Sequence, residues 1–456
     1  MSLVSINPAT GRKIRAYREF TPAQVMDAVA HAHAAFQDWR HLRFTQRAAF
    51  LRAVARELRR SQVEYALLAT EEMGKPISQS LPEIEKCAAC FDYFAANGSR
   101  FLADESAIDG NHRRAFVTYQ PLGVILAIMP WNFPYWQACR AAAPALMAGN
   151  VMLLKHSSNV TGCALAIEQA FVRAGLPRGV FQALPVGSPR VEGLIRHPHV
   201  RAVTLTGSTE AGKRVASVAG SVMKKGVFEL GGSDPYVILE DADLPTAAEI
   251  CAASRLINSG QSCVAAKRFI VVERVRKKFE RLFIESMAAH RTGDPRVSTT
   301  EIGPLARADL RSALHAQVQA SIRRGARLAL GGKISSGPGY FYPPTVLTGV
   351  QPGMPAYHEE LFGPVAAIIP ARNEAAAIRI ANDSPYGLGS AVFTRNRRRG
   401  ERIAREQLEA GLAYVNGAVQ SQPALPFGGV KDSGYGRELG LMGIREFVNT
   451  KTILVA

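Results

Sequence analysis

Long apolar runs are absent from this sequence of 456 residues. No stretch approaches the ~20 consecutive apolar residues that a membrane-spanning helix needs. The first eight residues also lack the charged segment followed by an apolar one that marks a secretory signal peptide. We therefore expect a protein that does not bind membranes and that works in the cytoplasm.

Cysteine is scarce as well: the chain has only six. They are too few and too scattered for a disulfide framework. Cys87 and Cys90 form a C-x-x-C pair, but they lie in a segment that reads as a continuous helix. No second Cys or His pair has zinc-finger spacing. The pair predicts a buried helix face, and we expect no metal site.

Acidic residues are outnumbered, with 38 Asp and Glu against 55 Lys and Arg and a net charge of +17. Such a charge is compatible with nucleic-acid binding. However, the basic residues are spread through amphipathic helices, as at 52–60 and 395–405, without an aromatic-interleaved basic patch. The pattern favours an electric field that attracts a small anionic substrate or cofactor, with no nucleic-acid partner.

The order of periodic segments predicts the fold class. Helical periodicity over 22–61 and 63–97 predicts an all-helical start, and a chain of this length needs more than one core. From residue 122, buried apolar strands alternate with helices, and the alternation repeats after a hinge at Gly231-Gly232. This is typical of an α/β protein with two doubly wound parallel sheets. Arg114–Pro121 forms a further alternating strand, without a crossover helix after it.

Cys263 and Glu229 are the strongest candidates for catalytic residues. Cys263 follows a polar, glycine-containing approach, and Lys267 and Arg268 come soon after it and would favour a thiolate. Glu229 lies between apolar residues, where burial raises a carboxyl pKa. A nucleophilic thiol and a tunable carboxylate are what covalent acyl chemistry needs. The alternatives are that Cys263 packs in a core and that Glu229 caps a helix.

Two features indicate a phosphate-bearing cofactor. Gly207 and Ser208 follow a predicted strand and open a predicted helix, whose first N–H groups attract phosphate. Lys155 ends a buried strand, at the edge where open α/β sheets bind ligands. The alternatives are that Gly207 and Ser208 only cap a helix and that Lys155 extends its amine to the surface.

Several motifs together resemble the aldehyde dehydrogenase superfamily, in family order and over nearly the whole chain. Details are similar to short bacterial succinate-semialdehyde dehydrogenases. The motifs are Pro130-Trp-Asn-Phe-Pro134, Gly207-Ser-Thr-x-x-Gly212, Phe228-Glu-Leu-Gly-Gly232, Gly260-Gln-Ser-Cys263, Glu359-Glu-Leu-Phe-Gly-Pro364 and Pro426-Phe-Gly-Gly-x-Lys-x-Ser-Gly-x-Gly-Arg-Glu438.

The resemblance implies the catalytic roles. Cys263 would add to the aldehyde carbon, and the Asn132 amide with the Cys263 backbone N–H would bind the developing oxyanion. Glu229 would activate the water that hydrolyses the thioester. The alternative for Asn132 is that it caps a turn before Pro134.

The resemblance also implies how NAD or NADP binds. Lys155 and Glu360 would hold the two riboses, Gly207 and Ser208 would lie near the pyrophosphate, and Trp131 and Phe362 would line the site. Many relatives carry Glu three residues after the ribose-binding lysine, where this chain has Ser158. Because a negative charge near the ribose 2′ position is missing, we expect NADP to be used, alone or alongside NAD.

The substrate and the assembly follow from the same resemblance. Arg140 and Ser421 would bind the carboxylate of a small anionic aldehyde, succinate semialdehyde, in the substrate tunnel. The alternative is that Arg140 faces solvent. The implied domains are a cofactor-binding domain at 1–102 and 122–229 and a catalytic domain at 230–431. Strands at 103–121 and 446–456 would join subunits into a homodimer or homotetramer.

Three other functions remain open on the sequence. A broad aldehyde dehydrogenase would oxidise uncharged aldehydes as well. A CoA-acylating enzyme is disfavoured because such relatives tend to lack the water-activating glutamate, which is present here as Glu229. A non-catalytic structural or nucleic-acid-binding protein is disfavoured because the chain retains both Cys263 and Glu229.

Overall fold

The computed structural model describes residues 2–106 and 114–455. Its strands are β1 Ser2–Ile6, β2 Lys13–Arg18, β3 Glu105–Ser106, β4 Arg114–Pro121, β5 Val124–Met129, β6 Val151–His156, β7 Phe181–Ala183, β8 Val200–Thr206, β9 Lys225–Glu229, β10 Pro235–Ile238, β11 Arg268–Val272, β12 Arg327–Leu330, β13 Thr345–Thr348, β14 Val365–Ala371, β15 Tyr386–Gly387, β16 Gly389–Phe393, β17 Leu412–Val415, β18 Val430–Lys431, β19 Gly434–Tyr435 and β20 Val448–Val455. Its helices are α1 Pro22–Trp39, α2 Phe44–Arg60, α3 Gln62–Met73, α4 Ile77–Phe101, α5 Trp136–Ala148, α6 Thr161–Arg173, α7 Val191–Arg196, α8 Thr209–Ser221, α9 Leu244–Leu256, α10 Glu273–Ala288, α11 Ala308–Arg323, α12 Pro355–His358, α13 Glu374–Asn382, α14 Arg397–Glu406 and α15 Gly440–Arg445.

A six-stranded sheet forms the first half of the fold. Its strand order is β19-β9-β8-β5-β6-β7, parallel except for β19. Every residue of β6 is buried, as a strand covered by helices on both faces requires. Helices α1 and α5 pack against β6, while α7 and α8 pack beside β8 and β9. Since β19 comes from the C-terminal part of the chain, residues far apart in sequence meet beside β9.

A seven-stranded sheet forms the second half, in the order β12-β13-β14-β11-β10-β16-β17. Only the edge strand β12 runs antiparallel to its neighbour. The chain passes from the first sheet to the second between Glu229 and Pro235. The prediction of an α/β protein with two parallel sheets is confirmed.

A small antiparallel sheet has the order β20-β4-β3. Strand β20 pairs with β4 along eight residues, from Val448 opposite Pro121 to Val455 opposite Arg114. The strand predicted over 114–121 is therefore present and takes the C-terminal strand as its partner within the chain. Residues 107–113 and 456 of the predicted oligomerisation strands lie outside the described residues.

The prediction of an all-helical start is wrong. Strands β1 and β2 form an antiparallel hairpin before α1. Strand β2, Lys-Ile-Arg-Ala-Tyr-Arg, is short and buries only Tyr17, so its sequence gives a weak strand signal. Short strands such as β7, β9 and β13 were also missed, because three to five residues give too little periodicity.

The predicted helices bury their apolar faces. Leu51, Val54 and Leu58 of α2 are completely buried, and each such side chain contributes about 1.5–3 kcal/mol relative to exposure. Cys87 and Cys90 lie buried on α4, which packs against α2. Within 2–106 and 114–455, no helix is both long and apolar enough to cross a bilayer.

Candidate active site

A cleft of about 260 Å³ is lined by Thr206 at the end of β8 and by the connections and helices of both large sheets. It contains many of the residues that the sequence singled out. These are Trp131, Asn132, Gly207, Ser208, Cys263, Glu360 and Phe362. Residues predicted from segments far apart in the chain therefore meet around the thiol.

The turn before Cys263 is held in an unusual backbone conformation. Asn258, Ser259 and Gly260 have successive φ values of 51°, 54° and 75°, in the left-handed region that non-glycine residues rarely adopt. At Gly260 a Cβ would lie 2.2 Å from the carbonyl carbon and oxygen of Gly363. Only glycine fits there, and it allows the turn to press against the chain that carries Phe362.

Side chains from distant elements stabilise this turn. The Asn258 N–H donates to Gln79 Oε1 at 2.6 Å, and Ser259 Oγ donates to the Gly303 carbonyl at 3.1 Å. A left-handed non-glycine residue costs about 1–2 kcal/mol, so two of them need such contacts. The loop is thereby fixed before any substrate arrives.

Asn132 is tied to the same loop. Its Nδ2 donates to the Gln261 carbonyl at 3.0 Å, and its Oδ1 accepts from Gln137 Nε2 at 3.1 Å. Its main-chain carbonyl accepts from Asn258 Nδ2 at 2.6 Å. These contacts orient the amide, and since Nδ2 carries two N–H groups, one remains after the bond to Gln261. The side chain does not cap the turn before Pro134; it lines the cleft beside the thiol.

The segment that carries Asn132 is anchored by a buried carboxylate. Glu83 Oε1 accepts from the N–H groups of Tyr135 and Trp136, both at 2.9 Å, at the start of α5. Glu83 also forms a buried ion pair with Lys75. A negative charge at a helix N-terminus is favourable, so Glu83 fixes the loop from which Asn132 projects.

Cys263 is a neutral thiol at rest. Burial raises its pKa to about 12, although the charges of Arg140 and Lys267 act in the opposite direction. The Arg268 guanidinium donates to main-chain carbonyls, among them that of Ser233 at 3.0 Å. Lys267 Nζ donates to the Cys263 carbonyl at 2.8 Å, so it shapes the loop as well as its electric field.

Glu229 is the last residue of β9 and is 1% exposed. In the part of the chain that the structure describes, neither carboxyl oxygen has a hydrogen-bond partner. Burial and the nearby Glu438 raise its pKa well above the usual range, against the charges of Arg140 and Arg437. A Cβ at Gly428 would lie 2.6 Å from Glu229 Oε1, so glycine leaves room for the carboxyl group. Glu229 is not a helix cap.

Arg140 does not face solvent; it is 2% exposed. Its Nε lies 2.5 Å from Glu438 Oε2, and its Nη2 donates to Thr206 Oγ1 at 3.1 Å. Its guanidinium also lies 4.8 Å from the ring centre of Phe427. Because Thr206 lines the cleft, Arg140 lies directly behind the cleft wall. Sequence reasoning missed Glu438, although it is the last residue of a quoted motif.

Ser421 lies beside Trp136, the first residue of α5, in contact with a lysine that the sequence did not reveal. Its Oγ accepts from Trp136 Nε1 and from Lys86 Nζ, both at 3.0 Å. Lys86 Nζ also lies 4.4 Å from the ring centre of Trp136. Lys86 belongs to α4, on the helix face next to the C-x-x-C pair, and only the fold shows that it reaches Ser421.

The remaining predicted residues form a candidate cofactor groove. Gly207 and Ser208 follow β8, and Ser208 Oγ accepts from the Ala211 N–H at 3.3 Å as the N-cap of α8. Ser208 also lines a second cavity together with Lys155, which makes the two cavities neighbours. Ser158 lies exposed at the start of a short turn after β6. A helix N-terminus and a lysine at a strand end fit a dinucleotide.

Glu360 and Phe362 form the opposite wall of the cleft. Glu360 Oε1 accepts from the Gly232 N–H at 3.0 Å and lies 3.6 Å from Lys267 Nζ. The Phe362 ring packs edge-on against Trp131, with 5.7 Å between ring centres. An acceptor for hydroxyl groups and an aromatic pair therefore line the space that leads to Cys263.

Comparison with known proteins agrees with this geometry. Residues 2–453 match the model of the aldehyde dehydrogenase family. The chain is 47% identical over 456 residues to a probable succinate-semialdehyde dehydrogenase (NADP+) of Synechocystis, covering 100% of both chains. It is also 47% identical over 458 residues to succinate-semialdehyde dehydrogenase (NADP+) 1 of Mycobacterium tuberculosis, again covering 100% of both.

A solved structure shares the fold. Succinic semialdehyde dehydrogenase from Streptococcus pyogenes, crystallised with NADP+ as the cofactor, superposes with a TM-score of 0.97 at 36% identity, over 99% of both chains. The chain described here belongs to the aldehyde dehydrogenase family, an oxidoreductase family.

Proposed function

We propose that this aldehyde dehydrogenase oxidises succinate semialdehyde to succinate with NADP, and with NAD as a second cofactor. The observation that carries the proposal is that Cys263 and Asn132 line one cleft. The cations Lys86 and Arg140 and the Ser421 hydroxyl lie near the N-terminal end of α5. Relatives named for this reaction at 47% identity support the choice of substrate and cofactor.

The first chemical step is addition of Cys263 Sγ to the aldehyde carbon. The carbon–sulfur bond forms as the Sγ proton passes to solvent water, and the electron pair of the carbonyl π bond moves to the aldehyde oxygen, which gains negative charge. The free N–H of Asn132 and the Cys263 backbone N–H are placed to donate to that oxygen. One such donor in a preorganised site contributes about 3–4 kcal/mol to the transition state.

The second step converts a thioester on Cys263 into a carboxylate. A bound nicotinamide supplies the acceptor for the hydride that leaves the thiohemiacetal carbon. Glu229 then takes a proton from water, which attacks the thioester carbonyl and releases the thiol. Its raised pKa makes its carboxylate a stronger base than that of an ordinary glutamate.

The cofactor is assigned to the groove described above. Lys155 and Glu360 would hold the two riboses, and the α8 N-terminus at Gly207 and Ser208 would bind the pyrophosphate. Ser158 lies three residues after Lys155 and carries no charge that would repel a 2′-phosphate. Trp131 and Phe362 would line the nicotinamide end.

The proposed contacts of the substrate carboxylate are Arg140 and Ser421. The Arg140 guanidinium is paired with Glu438, so it has fewer free donors than an unpaired arginine would offer. Ser421 Oγ accepts two hydrogen bonds and keeps its own O–H to donate.

The test is reduction of NADP and NAD with a panel of C2–C6 aldehydes, each with and without a terminal carboxylate. We expect the largest kcat/KM for succinate semialdehyde with NADP. Equal rates with hexanal would favour a broad aldehyde dehydrogenase, and activity with NAD alone would overturn the NADP assignment. Thioester transfer to CoA in place of hydrolysis would contradict the role of Glu229.

We further propose a homodimer or homotetramer in the cytoplasm. Strand β20 is an edge strand of the small sheet, and most of its residues are exposed. Edges of this kind pair readily with other chains. Light scattering of the purified protein tests the assembly, and a monomer at micromolar concentration would contradict it.

A further inference from the structure

The cluster around Ser421 contains a cation that the proposed mechanism does not use. Lys86 reaches Ser421 across 335 positions of sequence, and its amine lies over the Trp136 ring. The other cation of the region, Arg140, lies on the same face of α5 as Trp136, one turn further along. Three elements, α4, α5 and the segment after β17, therefore bring two cations and one hydroxyl together.

Arg140 and Lys86 differ in the groups that balance their positive charges. Arg140 lies 2.5 Å from a carboxylate oxygen of Glu438. Among residues 2–106 and 114–455, Lys86 has no carboxylate within 4.0 Å, and Ser421 Oγ is the acceptor recorded for its amine. An ammonium has three N–H donors, so two remain after the bond to Ser421. Lys86 is thus the less compensated charge.

We propose that Lys86, together with Ser421, binds the carboxylate at the far end of the substrate and so determines the preference for acidic aldehydes. This inference rests on the proposed function. One carboxylate oxygen would accept from Ser421 O–H and the other from Lys86 N–H, with the Trp136 ring beneath the amine. Arg140 would act on the same anion from behind the wall, through its charge.

The electrostatics of Lys86 agree with this role. Burial and the neighbouring Arg140 lower its pKa to about 8. A cation that is partly desolvated beside a like charge gains from an anionic partner, because that partner relieves both penalties. The Arg140 charge, which acts on Lys86, also acts on the Cys263 thiol.

The experiment compares succinate semialdehyde with butanal, which has the same number of carbons and no carboxylate. Lys86→Met keeps most of the apolar stem and removes the charge. We expect the ratio of kcat/KM for the two aldehydes to fall about ten- to hundredfold, mainly through KM for the acidic one, as for loss of a hydrogen bond to a charged group. Lys86→Arg is expected to retain most of the preference.

Lys277→Met is the matched control. It makes the same change of net charge on an exposed lysine of α10, far from the cleft in the fold, and should leave the ratio unchanged. A structural role of Lys86 beneath Trp136 predicts instead that Lys86→Met lowers both kcat/KM values alike, and that result would overturn the proposal. If Lys86→Met does not fold, Lys86→Gln takes its place.

A second readout is inhibition of butanal oxidation by succinate. The inhibition constant should rise in Lys86→Met and stay unchanged in Lys277→Met. If the wild-type enzyme does not prefer succinate semialdehyde, the proposed function itself fails. If it does and Lys86→Met retains both the preference and the succinate inhibition, only the assignment of Lys86 fails.

Discussion

Cys263 and Glu229, the proposed nucleophile and the proposed base, are held in opposite ways. The Cys263 loop is fixed by left-handed residues and by hydrogen bonds: it donates to Gln79 Oε1 and to the Gly303 carbonyl, and it accepts from Asn132 Nδ2. The Glu229 carboxyl is buried, and within the described residues it accepts no hydrogen bond at all.

The difference matches what each residue has to do. A nucleophile must meet the aldehyde carbon and the oxyanion donors in one fixed geometry, so a rigid loop is favourable. A general base needs a raised pKa and an unoccupied oxygen to which water can bind. Rigidity therefore serves the thiol, whereas desolvation serves the carboxyl.

The largest effect is expected from removing the nucleophile itself. Cys263→Ala should lower kcat by about 10⁴-fold or more, because no other group can form the covalent intermediate. Steady-state assays measure the rate, and circular dichroism checks the fold. An activity within about tenfold of wild type would contradict the role of Cys263.

Glu229→Gln should affect only the second step. We expect the steady-state rate to fall about 10²–10⁴-fold, as for loss of a general base. The first turnover should persist, so a burst of reduced cofactor precedes the slow phase and mass spectrometry finds an acyl group on Cys263.

Glu168→Gln is the control for Glu229→Gln. Glu168 is another carboxyl whose pKa burial raises, but it lines a different cavity, beside α1 and α6. Its replacement should leave the steady-state rate unchanged. A Glu229→Gln enzyme that turns over at nearly the wild-type rate without a burst would exclude Glu229 as the base.

A substitution at Gly260 tests how the turn before Cys263 contributes to stability. Gly260→Ala places a Cβ in contact with Gly363 and in a strained backbone, which should destabilise the protein by roughly 3 kcal/mol or more. Gly175→Ala shares a positive φ, 82°, but meets no atom within 4 Å, so only about 1–2 kcal/mol is expected. Thermal unfolding compares the two, and equal shifts would show that the contact with Gly363 is unimportant.

The smallest expected effect is a change in how the unfolding temperature depends on pH. Because the pKa of Glu229 is raised in the folded state, the folded protein holds this proton more tightly than the unfolded chain. Its contribution to stability is present at low pH and is lost as the pH rises through the folded-state pKa. Relative to Glu229→Gln, the wild-type unfolding temperature should fall as the pH rises from 5 to 8. A parallel course of the two curves would contradict the raised pKa.

Much of the fold was readable because its strands and helices are long and periodic. The apolar run at 124–129 and the amphipathic helix over 44–60 can each be recognised from local sequence alone. The hairpin of β1 and β2 and the two-residue strands do not, since pairing with a partner strand decides them. The predicted Cys263 loop was recognisable from its motif, but its left-handed residues were not.

By itself, the sequence indicated the family, the proposed nucleophile, the proposed base and the α/β alternation, because each depends on short motifs or periodic segments that can be recognised without the tertiary structure. The tertiary structure alone decided that Arg140 pairs with Glu438 and that Lys86 meets Ser421. These contacts join segments roughly three hundred or more residues apart, where no local spacing carries information. It also decided the charge of the thiol, because burial outweighs the basic residues that follow Cys263 in the chain.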